Sequence, residues 1–337
     1  MADDKILRER EERRRMMLED PVYKVIPILA VPTVISMLID SFYNMADTYF
    51  VSQLGLAATA AVGVNDSLMM MLRAVAMGFG MGAASYISRL LGAKRDEDAC
   101  RVGMTSLVTA MLVSVVLLIF GTIFTEPLVI LLGSTETSMV YSMQYARFIL
   151  LAAPFTAGEV VLSQLLRSEG STKYSMFGMV SGCVLNIILD PIFINVFHLE
   201  VAGAAMATAL SKVVSFMVLL SPFLRRRTML ELRRQYFTPK WHIYKEVGRM
   251  GIPSFLRSML LSVSTVVTNN MAAGFGDTAL AAVSVANKCM RFLGAAIIGF
   301  AQGFAPVAGY CWGAKRYKRV MQSFWFTSFM GFLIAVI

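Results

Sequence analysis

The sequence predicts an all-α polytopic membrane protein. Three observations carry the prediction. Of 337 residues, 57% are apolar and the mean hydropathy is +0.64. The apolar residues fall in long stretches, each near the length of about 20 residues that an α-helix needs to cross a bilayer. Lys and Arg gather in every second connection between those stretches, as they do on the cytoplasmic side of membrane proteins.

Taken in order, the apolar stretches place spans near residues 24–50, 57–84, 102–124, 138–163, 174–197, 202–224, 247–273 and 279–308, and a ninth begins near 321. Before the first span, residues 1–23 carry Lys5, Arg8, Arg10, Arg13, Arg14 and Arg15. They lack the apolar core and small-residue cleavage site of a signal peptide, so a cytoplasmic segment and an uncleaved first span are expected. The stretches from Arg89 to Arg101, Arg167 to Lys173, Arg225 to Arg249 and Lys315 to Arg319 repeat that basic character, whereas SQLGLAA, TEPLVILLGSTET, PIFINVFHLEVAG and GFGDT hold no Lys or Arg. The net charge of +9 is therefore a record of topology. It is parcelled out loop by loop and forms no single patch for nucleic acid. Cys100, Cys183, Cys289 and Cys311 stand apart with no CxxC spacing, and His198 and His242 are far from them, so neither a disulfide framework nor a zinc site is indicated.

The chain also repeats itself. LGAKRDEDACRV at 91–102 is answered by WGAKRYKRVMQS at 312–323, and the same offset of 221 residues pairs Gly55 with Gly276, Ala60-Ala61-Val62 with Ala281-Ala282-Val283, and Gly82 with Gly303. Ile26-Pro27 resembles Ile252-Pro253 at a different offset, so a length difference near the first spans is expected. Two copies that start on the same side are related by an axis along the membrane normal, an arrangement found in secondary transporters. The expected domains are a cytoplasmic segment 1–23, a six-helix lobe 24–224, a cytoplasmic linker 225–246 and a partial second lobe 247–337. By the same offset, a complete second lobe would extend beyond Ile337.

Ionisable groups inside spans are costly and mark sites by default. Asp40, Tyr43 and Asp47 are spaced i, i+3, i+7 and share one helix face over about 10 Å. Pro32 in the same span removes a backbone hydrogen bond and is a candidate bend. Asn186 and Asp190 are i, i+4, with Pro191 next. A carboxylate pair surrounded by hydroxyl and amide oxygens can hold a proton or Na+. A helix-capping or solvated role is the plainer alternative for Asp190, Asp47 and Asp40. Asp66 and Glu159 also lie in apolar stretches, and no spacing pairs them. Arg73, Arg147, Lys212, Arg257, Lys288 and Arg291 lie in or at the ends of spans, where they snorkel to an interface or neutralise carboxylates. The 25 methionines are ordinary packing residues unless shown otherwise.

At SFYNMADTYFVSQLG, MGAASYISRLLGAK, QLLRSEGSTKYSMFGMVSGCVLNIILDPIFI, VAGAAMATALS and GIPSFLRSML the chain resembles the multidrug and toxic compound extrusion (MATE) transporters, and most the bacterial MepA-type branch. The resemblance implies two six-helix bundles, 6+6 spans in a complete protein with about 8.5 present here, around a cavity that opens alternately to each side. It implies a cation-coupling cluster at Asp47, Tyr43, Asn186, Asp190 and Thr208, with Asp40 as an added charge, and bending at Pro32; Asp47, Asn186, Asp190 and Thr208 are the candidate ligands if the coupling ion is Na+ and not H+. Some family members carry a Glu eight residues after the proline of the seventh span. Here that position is Leu261, which makes a second-lobe cation site doubtful.

The expected function is export of organic, cationic and amphiphilic compounds in exchange for Na+ or H+, by a monomer in the bacterial cytoplasmic membrane with its N-terminus inside. The expected partners are small organic substrates and the lipid bilayer, with no nucleic acid and no cofactor beyond the coupling ion. A flippase for lipid-linked precursors is the alternative and would ask for a strongly cationic cavity, to which Arg73, Arg147 and Arg257 are the candidates. An intramembrane enzyme is disfavoured, since no HExxH, paired-aspartate protease motif or Ser/His arrangement lies in the spans.

Overall fold

The computed structural model describes residues 2–134, 138–273 and 277–336 and, among them, consists of helices and connections without a strand. The helices are α1 (Ala2–Glu19), α2 (Val22–Ser52), α3 (Leu56–Gly92), α4 (Asp96–Ile123), α5 (Thr125–Leu131), α6 (Met139–Ser168), α7 (Thr172–Pro191), α8 (Glu200–Leu224), α9 (Trp241–Ala273), α10 (Asp277–Gly313) and α11 (Tyr317–Val336). Among the described residues, eight helical stretches are long and apolar enough to cross a membrane, in α2, α3, α4, α6, α7, α8, α10 and α11. The predicted seventh span is a helix too, α9.

Several helices outrun their spans. α3 continues through Ser85 to Gly92, and α4 starts at Asp96, where three acidic residues in the first turn favour a helix N-terminus. Hydropathy reads the bilayer and not the helix end, so these polar turns were invisible to it. For the same reason α9 begins at Trp241, inside the stretch 225–246 expected to be linker, and the loop after α4 holds the short α5. Residues 225–240 carry Met229 and Leu230 in buried positions, with one turn of 3-10 helix at Arg234–Tyr236.

Lipid gives helices no hydrophobic reason to associate, so close packing of small residues matters. α6 threads the first lobe, with Val161, Leu162 and Leu165 fully enclosed. α3 packs on α9, and α10 packs on α2. These two contacts are copies of one another: a Cβ at Gly78 would lie 3.6 Å from Phe255, and one at Gly299 would meet Val34; one at Gly82 would reach the Gly251 nitrogen, and one at Gly303 would meet Ala30. Every pair obeys the offset of 221 residues, through the first spans as well. The length difference expected there is therefore absent from the packing. Pro32, not Pro27, is the counterpart of Pro253, and Asp40 is the counterpart of Leu261.

Where the basic loops lie, the two copies touch through backbone. A Cβ on Gly92 would sit 2.2 Å from the Tyr310 carbonyl oxygen, and one on Gly313 would sit 2.0 Å from that of Arg89. At this end α3 and α10 therefore leave no gap between them.

Candidate functional site: an acidic cluster inside the first lobe

One face of α2 turns inward. Thr33, Ser36, Tyr43 and Asp47 are buried along it, at the i, i+3, i+10, i+14 positions that helical periodicity brings together. The helix is continuous through Pro32, with Thr33 Oγ1 donating back to the Leu29 carbonyl at 3.2 Å. Across from Asp47, α7 and α8 come close because their facing positions are small: a Cβ on Gly182 would lie 2.8 Å from Ser215. That approach sets Asn186 and Asp190 of α7 against Thr208 of α8.

The predicted residues Asp47, Asn186, Asp190 and Thr208 are all enclosed, and Asp190 has no exposed surface at all. Asp190 therefore does not face water in this structure. In the amide orientation that satisfies both of its ends, Asn186 donates to Asp190 Oδ2 at 2.8 Å and accepts from Thr208 Oγ1 at 3.3 Å and from its N–H at 3.2 Å. Asp47 is the charge that acts on Asp190. Tyr43 and, from α6, Tyr145 are the hydroxyl neighbours of Thr208. Tyr145 carried no signal in the sequence, because a tyrosine in a span is common and its partner lies 63 positions away.

Asp47 Oδ1 is buried with no hydrogen-bond partner. An unpaired carboxylate oxygen in a dry interior is expensive. The surrounding groups are hydroxyl, amide and carboxylate oxygens, the hard donors that suit an alkali or alkaline-earth cation or a proton. The residues present therefore fit a small cation.

Asp40 departs from the group. Its carboxylate pairs with Arg73 of α3 at 3.2 Å, and both side chains stay partly open. Glu159 of α6, for which no spacing offered a partner, meets Lys212 of α8 at 3.1 Å with Ser215 Oγ 3.0 Å away, all enclosed. Arg167, also enclosed, donates to Ser175 Oγ at 3.1 Å and to Gln302 of α10, crossing between the lobes. Arg147 and Arg257 are exposed, as is Asp66, whose charge acts on Asp47, while Lys288 and Arg291 lie outside the residues whose side chains are described.

The sequence profile of the MatE family matches residues 32–192 and 253–337, the two copies of the repeat. The chain belongs to the MatE family. Multidrug export protein MepA of Staphylococcus saprophyticus is 32% identical over 302 residues, which cover 89% of this chain and 67% of the relative. The MepA of Staphylococcus aureus strain NCTC 8325 is 29% identical over 311 residues, covering 91% and 68%. This MatE chain thus spans about two thirds of the length of those relatives.

Solved structures agree. A MATE transporter in complex with MaL6 superposes with a TM-score of 0.91 at 30% identity, covering 95% of this chain and 72% of that one. An outward-facing conformation of a multidrug resistance MATE transporter and a MOP superfamily transporter from Pyrococcus furiosus each give 0.90 at 30% identity over the same shares. The fold is the MATE helical bundle, and the family is one of multi-pass membrane transporters, not an enzyme class.

Proposed function

We propose that the protein is a multidrug exporter of the cytoplasmic membrane that drives organic, cationic and amphiphilic compounds out in exchange for Na+ or H+. It works as a monomer with its N-terminus in the cytoplasm. The observation that carries the reading is the partnerless Asp47 oxygen beside the Asp190–Asn186–Thr208 chain. Two carboxylates within reach of each other's charge repel when both are ionised, and a cation bound between them relieves that repulsion. Tyr43, Asn186 and Thr208 supply the neutral oxygens that hold it.

Binding biases the conformational equilibrium only to the extent that the cation prefers one state over the other. The site sits on α2, α7 and α8, and α2 is the helix that also contacts the second lobe through Ala30 and Val34, on either side of Pro32. Occupancy at Asp47 is thus one helix away from the interface that has to move, with Pro32 as the point of flexure. A membrane potential of 100 mV adds about 2.3 kcal/mol per charge, roughly fiftyfold in concentration. The basic loops favour the inside orientation of the N-terminus. The flippase alternative is weakened by Arg73, whose charge is matched by Asp40.

Uptake of a fluorescent cationic dye into proteoliposomes under an imposed Na+ or proton gradient tests the proposal. Asp190→Asn and Asp47→Asn, separately and together, should abolish gradient-driven transport while leaving dye binding measurable. Transport undiminished in the double variant would overturn it.

A further inference from the structure

The arginines of the N-terminal segment are more than a topological signal. Arg14 donates from Nε to the Leu91 carbonyl at 3.1 Å and pairs with Asp96, so it grips the connection between α3 and α4. Arg13 pairs with Glu169 at 3.6 Å and donates to Ser171, gripping the connection between α6 and α7. Both connections belong to the first copy of the repeat. Between these contacts the Met17 side chain is fully buried, and a Cβ on Gly170 would lie 2.3 Å from its methyl group.

The second copy holds the other end of the same helix. The last carbonyls of any helix lack intrahelical donors and attract cations. At the end of α1 those carbonyls are served from the α10–α11 turn and the first turn of α11: Arg316 donates to Leu18 O at 2.7 Å, and Arg319 donates to Met17 O at 3.1 Å and to the O of Asp20, the residue after the helix. Arg10 ties the helix to the inter-lobe segment as well, at Thr228 O and Glu231, 3.3 Å each. The connections so bridged are the ones where Gly92 and Gly313 bring the copies into backbone contact.

We infer that α1 is a strap that holds the basic end of the transporter shut and has to let go of one lobe for that end to open. Moving the α10–α11 turn away from the α3–α4 connection strips α1 of either its carbonyl donors or its carboxylate partners. α1 therefore contributes a free-energy bias toward the state closed at this end, and it sets how readily the cytoplasmic side opens. The inference rests on the alternating-access part of the proposed function but not on which compound is carried.

The test uses spin labels at Lys94→Cys and Lys315→Cys, exposed and repeat-equivalent positions, in the full-length protein with its native cysteines changed to alanine. Pulsed electron resonance in nanodiscs then reads the separation of the two loops. Asp96→Asn with Glu169→Gln leaves the topogenic arginines in place and should raise the open fraction about tenfold, as a minor state of a two-state equilibrium allows. Arg13→Gln with Arg14→Gln should do the same. Arg15, which among the described residues pairs with Glu19 on the exposed side of the helix, is the control, and Arg15→Gln should change nothing. Distance distributions in both double variants identical to the parent would overturn the strap, as would an equal shift in Arg15→Gln. Because the readout needs no substrate, a shift in a protein that fails to export dye would sink the exporter reading and leave the strap standing.

Discussion

The buried pair Glu159–Lys212 gives the sharpest energetic prediction. Its N–O distance is 3.1 Å, and the side chains keep only 7% and 8% of their surface. An exposed pair of this kind is worth about 1 kcal/mol or less. This one is not exposed, so removing one partner leaves a charge in a dry interior. Lys212→Met strands the Glu159 carboxylate with the Ser215 hydroxyl alone, and the expected loss of stability is about 3–5 kcal/mol, as for other broken buried pairs. Glu159→Leu strands the ammonium and should cost a similar amount. The double variant leaves two apolar side chains of comparable volume and should lie within about 2 kcal/mol of the parent. A double-mutant cycle on unfolding in detergent should then show a coupling energy of several kcal/mol, far above the few tenths that independent sites give. Single variants that each lose less than about 1 kcal/mol, with additive effects, would refute the reasoning and mean that water reaches the pair.

Other expectations follow from the loops. Glu169 lies outside the spans, where burial holds its pKa above the ordinary 4.5 despite Arg13 and the N–H groups of Met229 and Leu230 at 2.7 and 3.1 Å. A raised pKa in the folded state means that its stabilising contribution is complete below 4.5 and is lost as pH rises through the folded value. Melting of the parent relative to Glu169→Gln should therefore favour the parent most at the acid end of a pH series, and the reverse slope would contradict the assignment. Gly92→Val places branched carbon against the Tyr310 carbonyl, so it should push the lobes apart at the basic end, seen as increased labelling of a cysteine at Lys94, and unchanged labelling would show that the contact yields.

What the sequence determined by itself is what the bilayer imposes. A lipid interior demands apolar runs of fixed length and pushes Lys and Arg to one side, and both demands are written residue by residue along the chain. The helix order, the repeat from Gly92 and Gly313, and the face shared by Asp40, Tyr43 and Asp47 were all legible for that reason. Partners were not. Periodicity says which side chains share a face, whereas the neighbouring helix decides what that face meets. Asp40 shares a stripe with Asp47 and yet pairs with Arg73, because α3 crosses there. Glu159 finds Lys212 across 53 positions, and Pro32 turns out to answer Pro253 only when the packing of glycines against Val34 and Phe255 is seen. The arginines of residues 10–14 read as a charged tail, since a polar helix has no hydropathy signal. Their docking became visible only once folding had gathered carboxylates and loop carbonyls from three distant connections beneath them. Such contacts depend on three-dimensional proximity of groups far apart in the chain, and that is a property of the tertiary structure alone.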